Sequence, residues 1–120
     1  MDFDGVIHRY DTPWTDATTI SDPPVDGAIS FLLTALEHFD VVIYSSRSKE
    51  PGGVHAMETW LHQHAGACWH ETPDGPGLES VRYARGKPPA FLTIDDRAFC
   101  FEGTWPDVHE LLKFKPWNKR

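Results

Sequence analysis

Met1-Asp2-Phe3-Asp4-Gly5-Val6 opens the chain, and a second acidic pair, Asp95-Asp96, follows the apolar, β-branched stretch Phe91-Leu92-Thr93-Ile94. Hard divalent cations prefer oxygen ligands, and Mg²⁺ usually takes one or two carboxylates together with phosphate and water. Four carboxylates converging from these two places would make a Mg²⁺ and phosphoryl-transfer site. Whether they converge depends on the elements between them.

Working outward from the first acidic pair, residues 5–24 hold Pro13, Pro23, Pro24 and several Asp and Thr, and read as an irregular excursion with a short hairpin near residues 6–10. Asp22 and Pro23 offer an N-cap and a first helical turn. Val25, Ala28, Ile29, Leu32, Leu33, Leu36 and Phe39 then recur at helical spacing, so residues 24–39 read as an amphipathic helix. Val41-Val42-Ile43-Tyr44 has no polar alternation, as expected for a strand covered on both faces. Ser45-Ser46-Arg47-Ser48 ends it, and Pro51-Gly52-Gly53 breaks the chain. Val54, Met57, Leu61 and His64 mark a second helix closed by Gly66. Residues 70–80 read as loop, 81–84 as a short strand, 91–94 as a third strand, and 104–114 as a last helix with Val108, Leu111 and Leu112 inward. Pro116 stops it, leaving a polar tail.

Strands alternating with helices predict an α/β fold, a Rossmann-like three-layer α/β/α sandwich around a central parallel sheet. Ligands of such sheets sit at the carboxyl ends of the strands. Asp2 and Asp4, Ser45, Lys87, and Asp95 and Asp96 all lie at or just after expected strand ends, so the topology predicts that they share one edge.

Composition narrows the function. The chain has 120 residues and a formal charge of −7. That length suits a single domain, residues 1–120, and the charge argues against a nucleic-acid groove working by bulk electrostatics. No apolar run is long enough to span a membrane and no basic-then-apolar leader is present, so the expected location is the cytoplasm. Cys68 and Cys100 lack CxxC spacing and read as free, buried thiols. His62 and His64 do not share a helix face and make a poor metal pair. His8 reads as an exposed loop histidine, and Trp60, Trp69 and Trp105 as packing residues.

With these motifs in order, the chain resembles the haloacid dehalogenase-type phosphohydrolases. Asp2-Phe3-Asp4-Gly5-Val6 is similar to the first motif of that family, Ser45 to the second, Lys87 in Gly-Lys-Pro-Pro-Ala to the third, and Asp95-Asp96 to the fourth. The resemblance covers nearly the whole chain. It implies that Asp2 is a nucleophile forming an aspartyl-phosphate, and that Asp4 is the general acid and base. It implies Mg²⁺ ligands in Asp2, the backbone carbonyl of Asp4, and Asp95, with Asp96 holding a metal-bound water or orienting Lys87. Ser45 would donate to a phosphoryl oxygen and Lys87 would balance its charge. Gly5 would let a backbone amide face the phosphoryl group. Strand alternation does not decide between Ser45 and Ser46. Ser45, which directly follows the apolar run, is preferred, and Ser46 and Arg47 become substrate-binding candidates. Arg47 and Arg97 read equally as surface ion-pair partners.

Two departures from the family pattern follow. Roughly forty positions separate Asp4 from Ser45, and a similar number separate Ser45 from Lys87; a helix and its loops fill each interval, leaving no room for a sizeable cap. The resemblance links an open site to large substrates, such as phosphoprotein or nucleic-acid ends, or to small ones when a second copy of the chain acts as lid. The expected partner is a phosphorylated substrate of unspecified class, with nucleic acid disfavoured by charge and a homo-oligomer left open. The other departure is that only Met1 precedes Asp2, where the family has a central strand. A truncated N-terminal strand is therefore expected, unless residues 1–4 are pinned by pairing with the strands ending at Tyr44 and Ile94. The alternatives to a phosphomonoesterase are a polynucleotide-end phosphatase and a non-catalytic phosphate-binding module.

Overall fold

Val42, Ile43 and Tyr44 form strand β1 (Val42–Tyr44), with Ile43 wholly buried. It pairs in parallel with β2 (Arg82–Ala84) in the register Val42 to Arg82, Ile43 to Tyr83 and Tyr44 to Ala84. The computed structural model describes residues 1–119, and among these the two strands make the only named sheet. A parallel pair needs a crossover, and helix α2 (Gly53–Ala65) supplies it. Met57, Trp60, Leu61 and Ala65 fall on one stripe of α2 and are buried. The result is a mixed α/β fold with a small parallel sheet.

Met1 extends the hydrogen-bonding pattern on the other side of β1. Its amino group donates to the Val42 carbonyl at 2.8 Å, and the Tyr44 amide donates to the Met1 carbonyl at 3.0 Å. That spacing around Ile43 is the pattern of a parallel ladder. The Asp2 amide in turn donates to the Ile94 carbonyl at 2.9 Å. Backbone order across the molecule is therefore β2, β1, Met1–Asp2, then Ile94.

The core gathers Phe3, Ile7, Leu32, Val41, Ile43, Met57, Trp60, Leu61, Leu78 and Val81. Leu32 is the buried residue of helix α1 (Ala28–Leu36), with Ile29, Leu33 and Leu36 half-buried beside it. Phe3 meets Trp60 edge-on at 5.2 Å between ring centroids. Side chains on extended backbone alternate in direction, so burying Phe3 turns Asp2 and Asp4 away from the core.

Several sequence expectations are corrected. Helix α1 is shorter than residues 24–39, and its N-cap is Gly27, with φ of 83°, rather than Asp22. Asp22 is instead engaged by Thr12, whose amide and hydroxyl both donate to its carboxylate. Residues 91–94 do not form a strand. Phe91 and Leu92 are exposed, and Pro88 and Pro89 just upstream have no amide hydrogen to give a ladder. The last helix shrinks to one turn, α3 (Val108–Leu111), capped by the Asp107 side chain. Val108, Leu111 and Leu112 face solvent rather than the core. Cys68 is half-buried and Cys100 exposed; both are free. Trp105 is exposed, with its ring against that of Phe101 at 4.7 Å between centroids. No helix among the described residues is long and apolar enough to cross a membrane.

Candidate functional site

Because the Asp2 amide bonds to the Ile94 carbonyl, the two acidic pairs lie side by side. Asp2, Asp95 and Asp96 each offer a carboxylate oxygen, and these atoms all lie within 4.8 Å of one another. Asp2 is half-buried, Asp95 exposed, and the Asp96 side chain only 5% exposed. The Phe3 amide donates to Asp2 Oδ1 at 2.8 Å, and the Arg97 amide to Asp95 Oδ1 at 2.8 Å. Asp96 Oδ1 is buried with no hydrogen-bond partner. Burial raises the Asp2 pKa against the pull of the Phe3 amide. The neighbouring Asp95 and Asp96 raise it further, and it is pushed up to about 7.

Three crowded carboxylates with one orphaned buried oxygen are a poor arrangement without a cation. The donor set is all oxygen, which fits a hard cation such as Mg²⁺. Gly5 lies against Asp96. Its φ is 80°, and a Cβ there would collide with the Asp96 carboxylate. Only glycine combines that backbone with that clearance.

Asp4 is committed elsewhere. Arg47 Nε donates to its two oxygens at 2.9 and 3.2 Å, and His8 Nδ1 lies 2.8 Å from Oδ1. His8 Nε2 accepts from the Asp22 amide at 3.1 Å, which assigns the ring proton to Nδ1 and makes it a donor to Asp4. Burial works against ionisation of Asp4, but the His8 and Arg47 hydrogen bonds and charges outweigh it and hold the carboxyl below its ordinary value. Among the four acidic candidates, Asp4 is thus the one outside the oxygen cluster.

Arg47 and His8 are each 1% exposed, so neither is the surface or loop residue that the sequence suggested. Arg47 Nη1 also donates to the carbonyls of Asp16, Ala17 and Thr19 at 3.0–3.1 Å. The guanidinium staples residues 16–19 to the first motif. Trp14 covers it, with the guanidinium carbon 4.5 Å from the ring centroid.

Ser45 is buried, and its hydroxyl accepts from the Arg47 amide as the cap of a 3₁₀ turn (Ser46–Lys49). Ser46 is exposed and lines a cavity of about 240 Å³ with Asp2, Asp4 and Asp96. Arg97, Tyr10 and Trp14 form the rest of its wall. Of the two serines, Ser46 is the one facing the carboxylates. Lys87 is exposed and makes no hydrogen bond or ion pair with them among the described residues.

Tyr10 and Trp14 were missed by sequence reasoning. Their only signal was aromatic character inside a Pro- and Asp-rich excursion. Tyr10 carries φ of 60°, the one positive value at a non-glycine residue among those described. The tail is also more engaged than its polar sequence implied. Trp117 Nε1 donates to the Gly5 carbonyl at 2.7 Å, and Asn118 Nδ2 to the Arg9 carbonyl at 3.1 Å.

Comparisons with protein-family models, with curated proteins and with solved structures returned no match.

Proposed function

We propose that the protein is a Mg²⁺-dependent phosphomonoester hydrolase of the haloacid dehalogenase type, working through an aspartyl-phosphate. The observation that carries this reading is the meeting of Asp2, Asp95 and Asp96 from distant parts of the sequence, beside a cavity that Asp2 and Asp96 line. The backbone order β2, β1, Met1–Asp2, Ile94 supports a rudimentary Rossmann-like sheet, and with it the three-layer arrangement.

Asp2, Asp95 and Asp96 would hold the cation. Bound there, it would neutralise the crowded carboxylates and the phosphoryl oxygens. The Asp2 carboxylate would attack phosphorus and displace the substrate's ester oxygen, which leaves as the alcohol after taking up a proton; water would then hydrolyse the aspartyl-phosphate to free Asp2 and inorganic phosphate, splitting one hard displacement into two easier ones. The family resemblance gives Asp4 the proton relay, while Arg47 and His8 hold its carboxyl below the ordinary value, which weakens it as a base. Ser46 is the hydroxyl available to a phosphoryl oxygen, and Ser45 supports it from behind. Lys87 keeps a role only through the family resemblance. Among the described residues no further domain covers the cavity, and the charge of −7 favours a small substrate over a polynucleotide end.

A second reading has its own support. Asp4 locked by two buried partners and Lys87 standing apart suit a module that binds a cation and phosphate without turnover. A phosphatase screen with and without Mg²⁺, over sugar phosphates, nucleotides and phosphorylated oligonucleotide ends, separates the two. Hydrolysis that disappears with a chelator and in Asp2→Asn supports the hydrolase. Cation binding without any hydrolysis supports the module.

A further inference from the structure

We propose that this site takes a phosphomonoester whose leaving group carries a flat aromatic ring, a mononucleotide in chemical terms, with Trp14 as the stacking platform. The inference rests on the phosphate-site reading above and adds the substrate class. Two aromatic residues, Trp14 and Tyr10, wall the same cavity as Asp2 and Asp96. Neither is placed there by the core. Trp14 is 45% exposed, so part of its indole is open to a ligand. Tyr10 sits at φ of 60°, a conformation that bulky residues avoid and that clusters where strain serves a site.

The platform is also rigid. One face of the Trp14 indole lies on the Arg47 guanidinium. That guanidinium is itself held by Asp4 and by three carbonyls of the loop that follows Trp14. With one face supported and nearly half its surface open, the indole offers its other face at little entropic cost. Base-on-aromatic stacking tolerates any base, because every base has a π-face.

Size and charge limit the ligand. A cavity of about 240 Å³ is smaller than the roughly 300–1,000 Å³ that encloses a drug-sized molecule, so it suits one phosphomonoester held partly open to solvent rather than a longer ligand. Arg97 is the one cation in its wall. A polyanionic strand would find no charged track there, whereas a single phosphate needs only the cation held by the carboxylates.

The test measures equilibrium binding with Mg²⁺ present, so that no turnover is needed. Non-hydrolysable phosphonate analogues of adenosine 5′-monophosphate and ribose 5-phosphate are titrated into the parent protein and into Trp14→Leu and Trp14→Phe. The nucleotide is expected to bind roughly 5- to 150-fold tighter than the sugar phosphate, the range of one base stack. Trp14→Leu should erase most of that gap while leaving binding of the ribose 5-phosphate analogue unchanged, which also shows that the fold is intact. Trp14→Phe should keep most of it. Equal affinity for the two ligands, no binding of the nucleotide, or a gap that survives Trp14→Leu would overturn the proposal. A parent protein that hydrolyses nothing, with the gap intact, would remove the hydrolase reading alone.

Discussion

The Asp96 carboxylate lies directly over Gly5, in the space that a side chain at position 5 would fill. Glycine at this position therefore sets the height of the carboxylate cluster as well as the turn. Gly5→Ala should cost more than the ~1–3 kcal/mol of backbone strain alone, because Asp96 must also move. Gly27 is the control, with a similar φ of 83° and open space around it. Gly27→Ala should show only the strain. Urea unfolding of both variants, with Mg²⁺-induced stabilisation measured in parallel, checks this; Gly5→Ala alone should lose the metal response.

Stability should depend on pH through Asp2 when no cation is bound. The folded carboxyl titrates at about 7 against an ordinary value of 3.8. Between these values the folded protein holds a proton that the unfolded chain has released. Stability should therefore fall as pH rises through that window and level off above it. Mg²⁺ competes with that proton, so its effect on the melting temperature should be larger at pH 8 than at pH 5. Asp2→Asn should flatten the pH slope, raise the melting temperature of the chelated protein at pH 8, and abolish turnover.

Asp4 should behave in the opposite sense and in a different window. Its folded pKa is depressed, so the stability it contributes is fully present above 3.8 and is lost as pH falls through the lower folded value. Arg47→Met would leave this carboxylate with His8 alone and three loop carbonyls without their donor. Breaking a buried pair of this kind costs about 3–5 kcal/mol. Chemical denaturation at pH 7 measures it, and the penalty should shrink in acid as Asp4 becomes protonated.

Tyr83 supplies a contrast. Its hydroxyl is buried without a partner, and burial followed by the nearby Glu58 raises its pKa. Removing an unsatisfied group is neutral or favourable. Tyr83→Phe should leave stability unchanged or raise it by about 1 kcal/mol, in a melting experiment indifferent to Mg²⁺. The other orphaned oxygen, on Asp96, should instead respond to the cation.

How much was legible in the sequence varied with the physics of each element. Val42-Ile43-Tyr44 and the stripe Met57, Trp60, Leu61 were plain, because local pattern and burial agree there. Residues 91–94 share the composition of β1 yet have one backbone bond, from Asp2, and prolines behind them. Phe91→Ala should therefore change stability by less than about 0.5 kcal/mol, whereas Ile43→Ala should cost about 2–5. At the site, the acidic pairs were visible as spacing. The capture of Asp4 by Arg47 and His8 was not, because it needs residues that lie 43 and 4 positions away to fold over the same carboxylate. Ser46 facing inward in place of Ser45 reflects a 3₁₀ turn, whose rotation strand alternation does not describe.

The bond from the Asp2 amide to the Ile94 carbonyl has a consequence in time as well as in space. The three clustered carboxylates come from residue 2 and residues 95 and 96 of a 120-residue chain, so no local fragment can assemble them. On a ribosome, Asp2 is made first and must wait for almost everything else before its partners exist. Closing so long a loop is slow relative to helix formation. Metal competence should therefore appear as the last event of folding, after the core around Ile43 has formed, and serve as a reporter of its completion.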